Sequence, residues 1–174
     1  MNPNEAGGRI HSTDPFAVPD SAKSPVRRLR GRLAAPVTIW TAPGPAGLTV
    51  SSTLIADGEP GRVVGLIDEE SDFWDAALTA GVFTVVPLTP ADRQLADRFA
   101  GLMPSPGGLF AAGEWRETEW GPVPANATAW AGCRLDSDRP CGWALLVEGV
   151  IESTEIATAA APLVHYRGRY AELG

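Results

Sequence analysis

The sequence predicts a mainly β protein, a small barrel with short flanking helices. Six or seven segments are rich in β-branched and aromatic residues over strand lengths, and Gly- and Pro-rich turns separate them. Only two stretches combine helical spacing of apolar residues with an N-cap and a stop. Strands do not alternate with helices as a parallel α/β sheet requires. At 174 residues the chain has the size of one domain with a tail.

Residues 1–24 carry Asn, Gly, Ser, Asp and prolines with no apolar period, and are expected to form a flexible N-terminal arm ahead of one domain over residues 25–174. Residues 26–33 read as a short basic helix with Arg27, Arg28, Arg30 and Arg32, ended by Pro36. Residues 37–41 read as a strand that leaves into a turn at 43–47, residues 48–55 as a second strand, and residues 63–67 as a short buried one. Ser71 is expected to cap a helix through Ala80, with Phe73, Trp74, Ala77 and Leu78 on one side and Gly81 as the stop. Residues 82–88 return to strand character. Thr89 and Pro90 then open a second helix in which Leu95, Ala96, Phe99 and Ala100 recur at helical spacing before Gly101. Residues 102–124 are rich in Gly and Pro and contain Phe110, Trp115 and Trp120; a connection of that length is packed or functional. Residues 127–135 and 143–156 read as two longer strands joined by a turn at 136–139, and residues 163–166 as a last strand that closes the sheet.

Hydrophobic residues make up 44% and charged residues 20%, as expected for a folded chain rather than a disordered one. The net charge of -7 argues against a nucleic-acid partner, which needs a clustered basic surface. No apolar run reaches the roughly eighteen residues needed to span a membrane. The N-terminus lacks the apolar centre of a signal peptide, so a cytoplasmic location is expected. Cys133 and Cys141 are too few for a disulfide scaffold and lack metal-ligand spacing with His11 and His165, so no metal is expected. A hairpin through residues 136–139 would bring the two cysteines near each other, either as a redox pair or as bystander thiols.

In order along the chain stand Pro36-Val-Thr-Ile-Trp-Thr41, Gly47-Leu-Thr-Val-Ser-Ser-Thr53, Ser71 before its helix, Gly81-Val-Phe-Thr-Val-Val-Pro-Leu88, Leu95-Ala-Asp-Arg-Phe-Ala-Gly101 and Pro162-Leu-Val-His-Tyr-Arg-Gly-Arg-Tyr170. Together they resemble the flavin reductase family of FMN-binding split barrels. Their order and spacing carry the resemblance, not any one piece. It implies a six-stranded antiparallel split barrel of Greek-key type and a homodimer with one FMN per subunit near the interface. It further implies FAD as a possible flavin substrate, NAD(P)H as cosubstrate, and a flavin-dependent monooxygenase as partner.

A flavin site needs a flat apolar slot, a few fixed donors for the pyrimidine edge and ribityl chain, and an anchor for the phosphate. Under the resemblance, Thr49, Ser51 and Ser52 supply the polar part, and Val50 between them is a further cofactor-binding residue. Residues two apart on a strand share a face, so Thr49 and Ser51 are expected to point together while Ser52 and backbone amides serve the turn beyond. The plainer alternative is that these hydroxyls pair across the sheet. Ser71 is at least a helix cap, and a helix N-terminus also suits phosphate or a polarised flavin carbonyl. Asp68 is expected to reach the flavin through its backbone. Phe99 is a flavin contact or a core residue, and Phe110 and Trp115 either cover a bound ring or plug the barrel end. Trp143, His165, Arg167 and Arg169 are placed on the nicotinamide or substrate side, against the simpler reading of an exposed strand end. Hydride transfer between nicotinamide and flavin needs stacking and distance control rather than a side-chain acid or base, so no catalytic residue is named.

Two places depart from the family pattern. Its Gly-Asp-His stretch reads Cys141-Gly-Trp143 here, and its Phe-x-Val-Asn-x-Leu reads Phe83-Thr-Val-Val-Pro-Leu88, with Val86 in place of the asparagine. Trp143 either stacks on a nicotinamide or fills its space. If it fills that space, the chain is an FMN-binding electron carrier, or a flavoprotein oxidoreductase that does not use NAD(P)H.

Overall fold

Ile39 and Trp40 are neighbours on one short strand and both are wholly buried, so that strand lies between two apolar layers. The computed structural model describes residues 22–173. Its strands are β1 (Ala35–Pro36), β2 (Thr38–Ala42), β3 (Ala46–Val50), β4 (Leu54–Ala56), β5 (Arg62–Ile67), β6 (Val82–Pro87), β7 (Trp115–Thr118), β8 (Gly121–Pro124), β9 (Ala129–Cys141), β10 (Ala144–Ile156), β11 (Leu163–Tyr166) and β12 (Arg169–Glu172). The helices are α1 (Pro25–Arg30), α2 (Asp72–Ala80) and α3 (Arg93–Phe99). The expected N-terminal arm lies, up to residue 21, outside the described residues.

Seven strands pair antiparallel in the order β3-β2-β6-β9-β10-β5-β4. The two edge members, β3 and β4, are consecutive in the chain and separated only by residues 51–53. They act as one bent strand, and their continuity closes the sheet into a barrel of six strands. The strand expected over residues 48–55 is therefore broken where the chain passes from one edge of the sheet to the other.

Inside the barrel, Trp40 and Phe83 stack with ring centroids 4.9 Å apart and planes 10° apart. Phe73 meets both rings edge-on from α2, at 6.1 and 6.2 Å, so the helix that carries the chain from β5 to β6 also plugs the interior. A Cβ on Gly65 or Gly149 would come within 2.6 Å of the Trp40 or Phe83 ring, which is why strands that otherwise favour branched residues carry glycine there. As expected, Ser71 caps α2 by accepting from Trp74 N, and Gly81 ends it at φ 71°.

The opposite face of β2 and β6 packs under α3, where Ile39, Val86, Leu88, Ala96, Phe99 and Leu163 form a second core layer. Residues Pro90–Asp92 form a 3₁₀ turn, with the Asp92 carboxylate accepting from both Thr89 N and Thr89 Oγ1 at 2.8 Å. The helix closes with Gly101 N to Arg98 O and Leu102 N to Asp97 O, and Gly101 at φ 74°, a Schellman stop.

Several boundaries differ from expectation. The first helix stops at Arg30 with Gly31 as its cap, well before Pro36. The segment 102–124 contains the β7–β8 hairpin; its Phe110 and Trp115 fold back on Phe99 of α3, and its Trp120 packs on Gly132 and Trp130 of β9. Residues 163–166 do not close the main sheet; they form the middle of a separate three-stranded sheet, β1-β11-β12. The long hairpin turns at Gly142–Trp143, not at 136–139: β9 runs on to Cys141, which pairs with Ala144, and Gly142 at φ 61° opens a two-residue loop. Cys133 and Cys141 thus lie on one strand, eight residues and roughly 25 Å apart, and cannot pair within the chain. Among the described residues no helix is long and apolar enough to cross a membrane, and no group of His, Cys, Asp and Glu is placed to hold a metal.

Candidate functional site

The bend that closes the barrel is held by a chain of buried hydrogen bonds. Trp40 Nε1 donates to Thr53 Oγ1 at 3.0 Å, the Thr53 and Thr38 hydroxyls are 2.8 Å apart, and Thr38 Oγ1 donates to Val50 O at 2.7 Å. Thr38 has one hydroxyl proton and gives it to Val50, so Thr53 is the donor between the two threonines. Thr38 and Thr53 were not among the expected site residues, because a strand read straight through residue 55 hides the bend they fix. Ser52 Oγ accepts from Leu66 N at 2.9 Å and donates to Leu66 O at 3.2 Å, the place where a backbone partner would continue the β4–β5 ladder. Val50 is buried in the barrel interior.

That arrangement separates residues the sequence reading grouped. Thr49 pairs with Ile39 and faces the outer layer, where its hydroxyl donates to Ala96 O at 2.6 Å. Ser51 is exposed, and its hydroxyl has no partner among the described residues. Of the expected donors at the bend, Ser51 alone has its side chain available to a ligand.

At the end of β5 the chain turns tightly into α2. Asp68 Oδ1 accepts from Glu70 N at 2.9 Å, and Asp68 O accepts from Ser71 N at 3.2 Å and Ser71 Oγ at 2.7 Å. Ser71 Oγ in turn accepts from Trp74 N at 3.2 Å, so this hydroxyl's proton and one of its lone pairs are spent within the turn. The first amides of α2, those of Asp72 and Phe73, have no partner within the helix and remain as donors. Leu66 is bonded to Ser52, and Ile67 pairs with Leu145, which puts Asp68 beside the start of β10 and the Gly142–Trp143 loop. Trp143 is 106% exposed at the hairpin tip. Ser51, Ser52, Asp68, Ser71 and Trp143 therefore gather along one seam of the barrel.

The two sides of that seam differ in charge. Asp68, Glu69, Glu70, Asp72 and Asp75 are all exposed around the start of α2. Acids in the first turn already complement the helix dipole, so a phosphate dianion there would meet like charge, whereas a polarised carbonyl would not. On the other side, Pro36 pairs with Val164 and lies two residues before Thr38, which pairs with Val50. The β11–β12 hairpin thus stands at the bend's end of the barrel. It carries Arg167 and Arg169, both exposed: Arg167 (φ 52°) and Gly168 (φ 78°) form its left-handed two-residue turn, and Arg169 opens β12.

Phe99 and His165 both sit in aromatic contacts. Phe99 is buried and contacts Phe110 and Trp115, with centroids 5.2 and 5.6 Å away, and so forms an aromatic plug against α3. The His165 ring lies 6.1 Å from that of Tyr170, whose hydroxyl donates to Asp97 Oδ1 at 2.8 Å. Burial, then Asp97, push the Tyr170 phenol well above its ordinary range and keep it a donor.

The family model for the flavin reductase like domain matches residues 30–174. The chain is similar to FMN reductase (NADH) RutF 2 of Methylorubrum extorquens (strain PA1), with 34% identity over 164 residues, 91% of this chain and 92% of that protein. It is also similar to HsaB of Mycobacterium tuberculosis, the reductase subunit of a flavin-dependent monooxygenase, with 31% identity over 129 residues, 72% of this chain and 67% of that one. Among solved structures, a nitrilotriacetate monooxygenase component B homologue from Mycobacterium thermoresistibile superposes with a TM-score of 0.78 at 26% identity, covering 86% of this chain and 85% of its own.

Proposed function

This chain belongs to the flavin reductase-like family, and on that footing we propose that it is an NAD(P)H-dependent flavin reductase, the reductase component of a two-component flavin-dependent monooxygenase system. The observation that carries the reading is the match over the whole barrel, residues 30–174, to proteins named for that activity.

The donor set at the seam fits a flavin. Ser51 offers an unspent hydroxyl, and the first amides of α2 can meet the pyrimidine carbonyls. Ser52 and Thr53 hold the bend rigid, which keeps Ser51 in place without a loop having to order on binding. Thr49, Asp68, Ser71 and Phe99 act behind this surface, tying the bend to α3 and shaping the turn into α2. A bound flavin supplies the hydride acceptor; the protein's part is to align the nicotinamide ring over it and exclude competing reactions. Trp143, at the tip of the long hairpin beside Asp68, is the residue that covers the nicotinamide side. The flavin is FMN, with FAD as an alternative substrate, and the assembly is a homodimer that joins along the outer face of β4, β5 and β10.

One observation favours a second reading. With Trp143 where the family has a histidine, the nicotinamide space could be filled, leaving an FMN-binding electron carrier. Anaerobic stopped-flow absorbance of the FMN-loaded chain mixed separately with NADH and NADPH separates the two. Rapid bleaching of the flavin band is the expected result. Retained flavin with no bleaching by either nucleotide would overturn the reductase in favour of the carrier.

A further inference from the structure

Six arginines stand at one corner of a chain whose net charge is -7: Arg27, Arg28, Arg30 and Arg32 on and just after α1, and Arg167 and Arg169 on the β11–β12 hairpin. The backbone fastens the two elements together, Arg167 N donating to Gly31 O at 3.1 Å. None of the six makes an ion pair or side-chain hydrogen bond with a described residue, whereas Arg62, Arg93, Arg116 and Arg134 each engage a carboxylate. No acidic residue occurs between positions 22 and 56 or between 156 and 171, and no described carboxylate pairs with any of the six. All six are exposed, and α1 buries none of its own residues.

Guanidinium groups present paired N–H donors that match phosphate oxygens two at a time, and unpaired ones keep those donors free. One phosphate occupies one or two such groups; a cluster of six suits a ligand with more than one phosphate. The corner lies at the bend's end of the barrel. Tyr166, exposed on the same hairpin, offers a flat face to a base.

We propose that this arginine corner binds the diphosphate of a dinucleotide whose reactive ring lies at the seam. The proposal rests on the flavin reading of the bend. The diphosphate has two sources, FAD and the nicotinamide dinucleotide, and FMN lacks it.

The test is the full chain against its Arg27→Gln/Arg28→Gln/Arg30→Gln variant, whose folding should be unchanged because these side chains are exposed and make no ion pair or side-chain hydrogen bond with a described residue. ADP binding is measured by calorimetry at low and high salt, Kd for FMN and FAD by flavin fluorescence, KM for NADH and NADPH by flavin reduction, and oligomeric state by sedimentation. The expected result is ADP binding that weakens about tenfold in the variant and with salt, while FMN affinity stays within about twofold. A parallel rise in Kd for FAD identifies the flavin as the source; a rise in KM for NADH or NADPH identifies the nicotinamide. ADP binding equal in both chains, or absent from both, overturns the proposal, as does a changed oligomeric state with every ligand constant unchanged, which would assign α1 to a subunit contact. A wild-type chain that loses ADP on substitution but never binds FMN would keep the arginine site and overturn the flavin reading instead.

Discussion

Ser51 and Ser52 are adjacent and chemically identical, yet the geometry gives them separate work. Ser52 stands in for a backbone partner of Leu66, and Ser51 is the one with a free hydroxyl. Ser51→Ala should weaken FMN binding by about 1 kcal/mol, roughly fivefold, with an unchanged melting temperature. Ser52→Ala should lower the melting temperature, costing on the order of 1 kcal/mol, because Leu66 N–H and C=O lose their partner. FMN titrations and thermal melts on both variants check the split; equal effects on both readouts would show that the bend does not divide these roles. Cys133 gives a pH-dependent counterpart in the core. Burial, with a smaller contribution from Glu152, pushes its thiol up from 9.0 to about 12. Below 9.0 the thiol is protonated in folded and unfolded chain alike and contributes no pH dependence. Above it the unfolded chain releases its proton first, so stability should fall as pH rises toward about 12. Melts between pH 8 and pH 11 should show that decline, and Cys133→Ala should flatten it.

The elements that were legible in the sequence are those whose signals are local. Ser71 and Gly81 mark the two ends of α2, and Thr89 with Pro90 marks the approach to α3, because caps act within one turn. Elements decided by distant partners were not legible. Residues 136–139 have turn chemistry, but Arg62 on β5 bonds Asp136 at 2.7 Å and Glu148 at 2.6 Å, and its positive charge holds the Asp136 carboxyl below its usual range. That cross-strand pairing keeps β9 extended to Cys141 and moves the turn to Gly142–Trp143. Trp143 then stands clear of the fold at the hairpin tip, where a side chain contributes nothing to stability. Trp143→Ala should leave the melting temperature and FMN affinity unchanged and raise KM for NADH by about tenfold, as expected when a stacking platform is removed. Steady-state kinetics checks this, and a faster reductase would show instead that the indole obstructs the nicotinamide.

For the whole molecule the question is what covers the outside of the barrel at β4, β5 and β10. Residues directly opposite on paired strands, and residues two apart on one strand, share a face. Leu54 opposes Val64, and Leu66 opposes Leu146, so these four point outward together while Val63, Gly65 and Ile67 point into the barrel. Leu54 and Leu66 are exposed beside the seam, and the Arg62–Glu148 ion pair borders them, an apolar centre with a charged rim. Such a patch on the outside of the barrel fits a subunit contact better than bare solvent. The contact would also bring a second copy up to the seam, so site and assembly would be coupled. Leu66→Glu keeps the backbone bonds to Ser52 and leaves the interior alone, but places a charge in the middle of the patch. Sedimentation at micromolar concentration should find the parent chain as a dimer and the variant as a monomer, with FMN affinity falling in the monomer because the seam has lost its neighbour. A parent chain that sediments as a monomer while binding FMN would show that the barrel holds its flavin without a second copy.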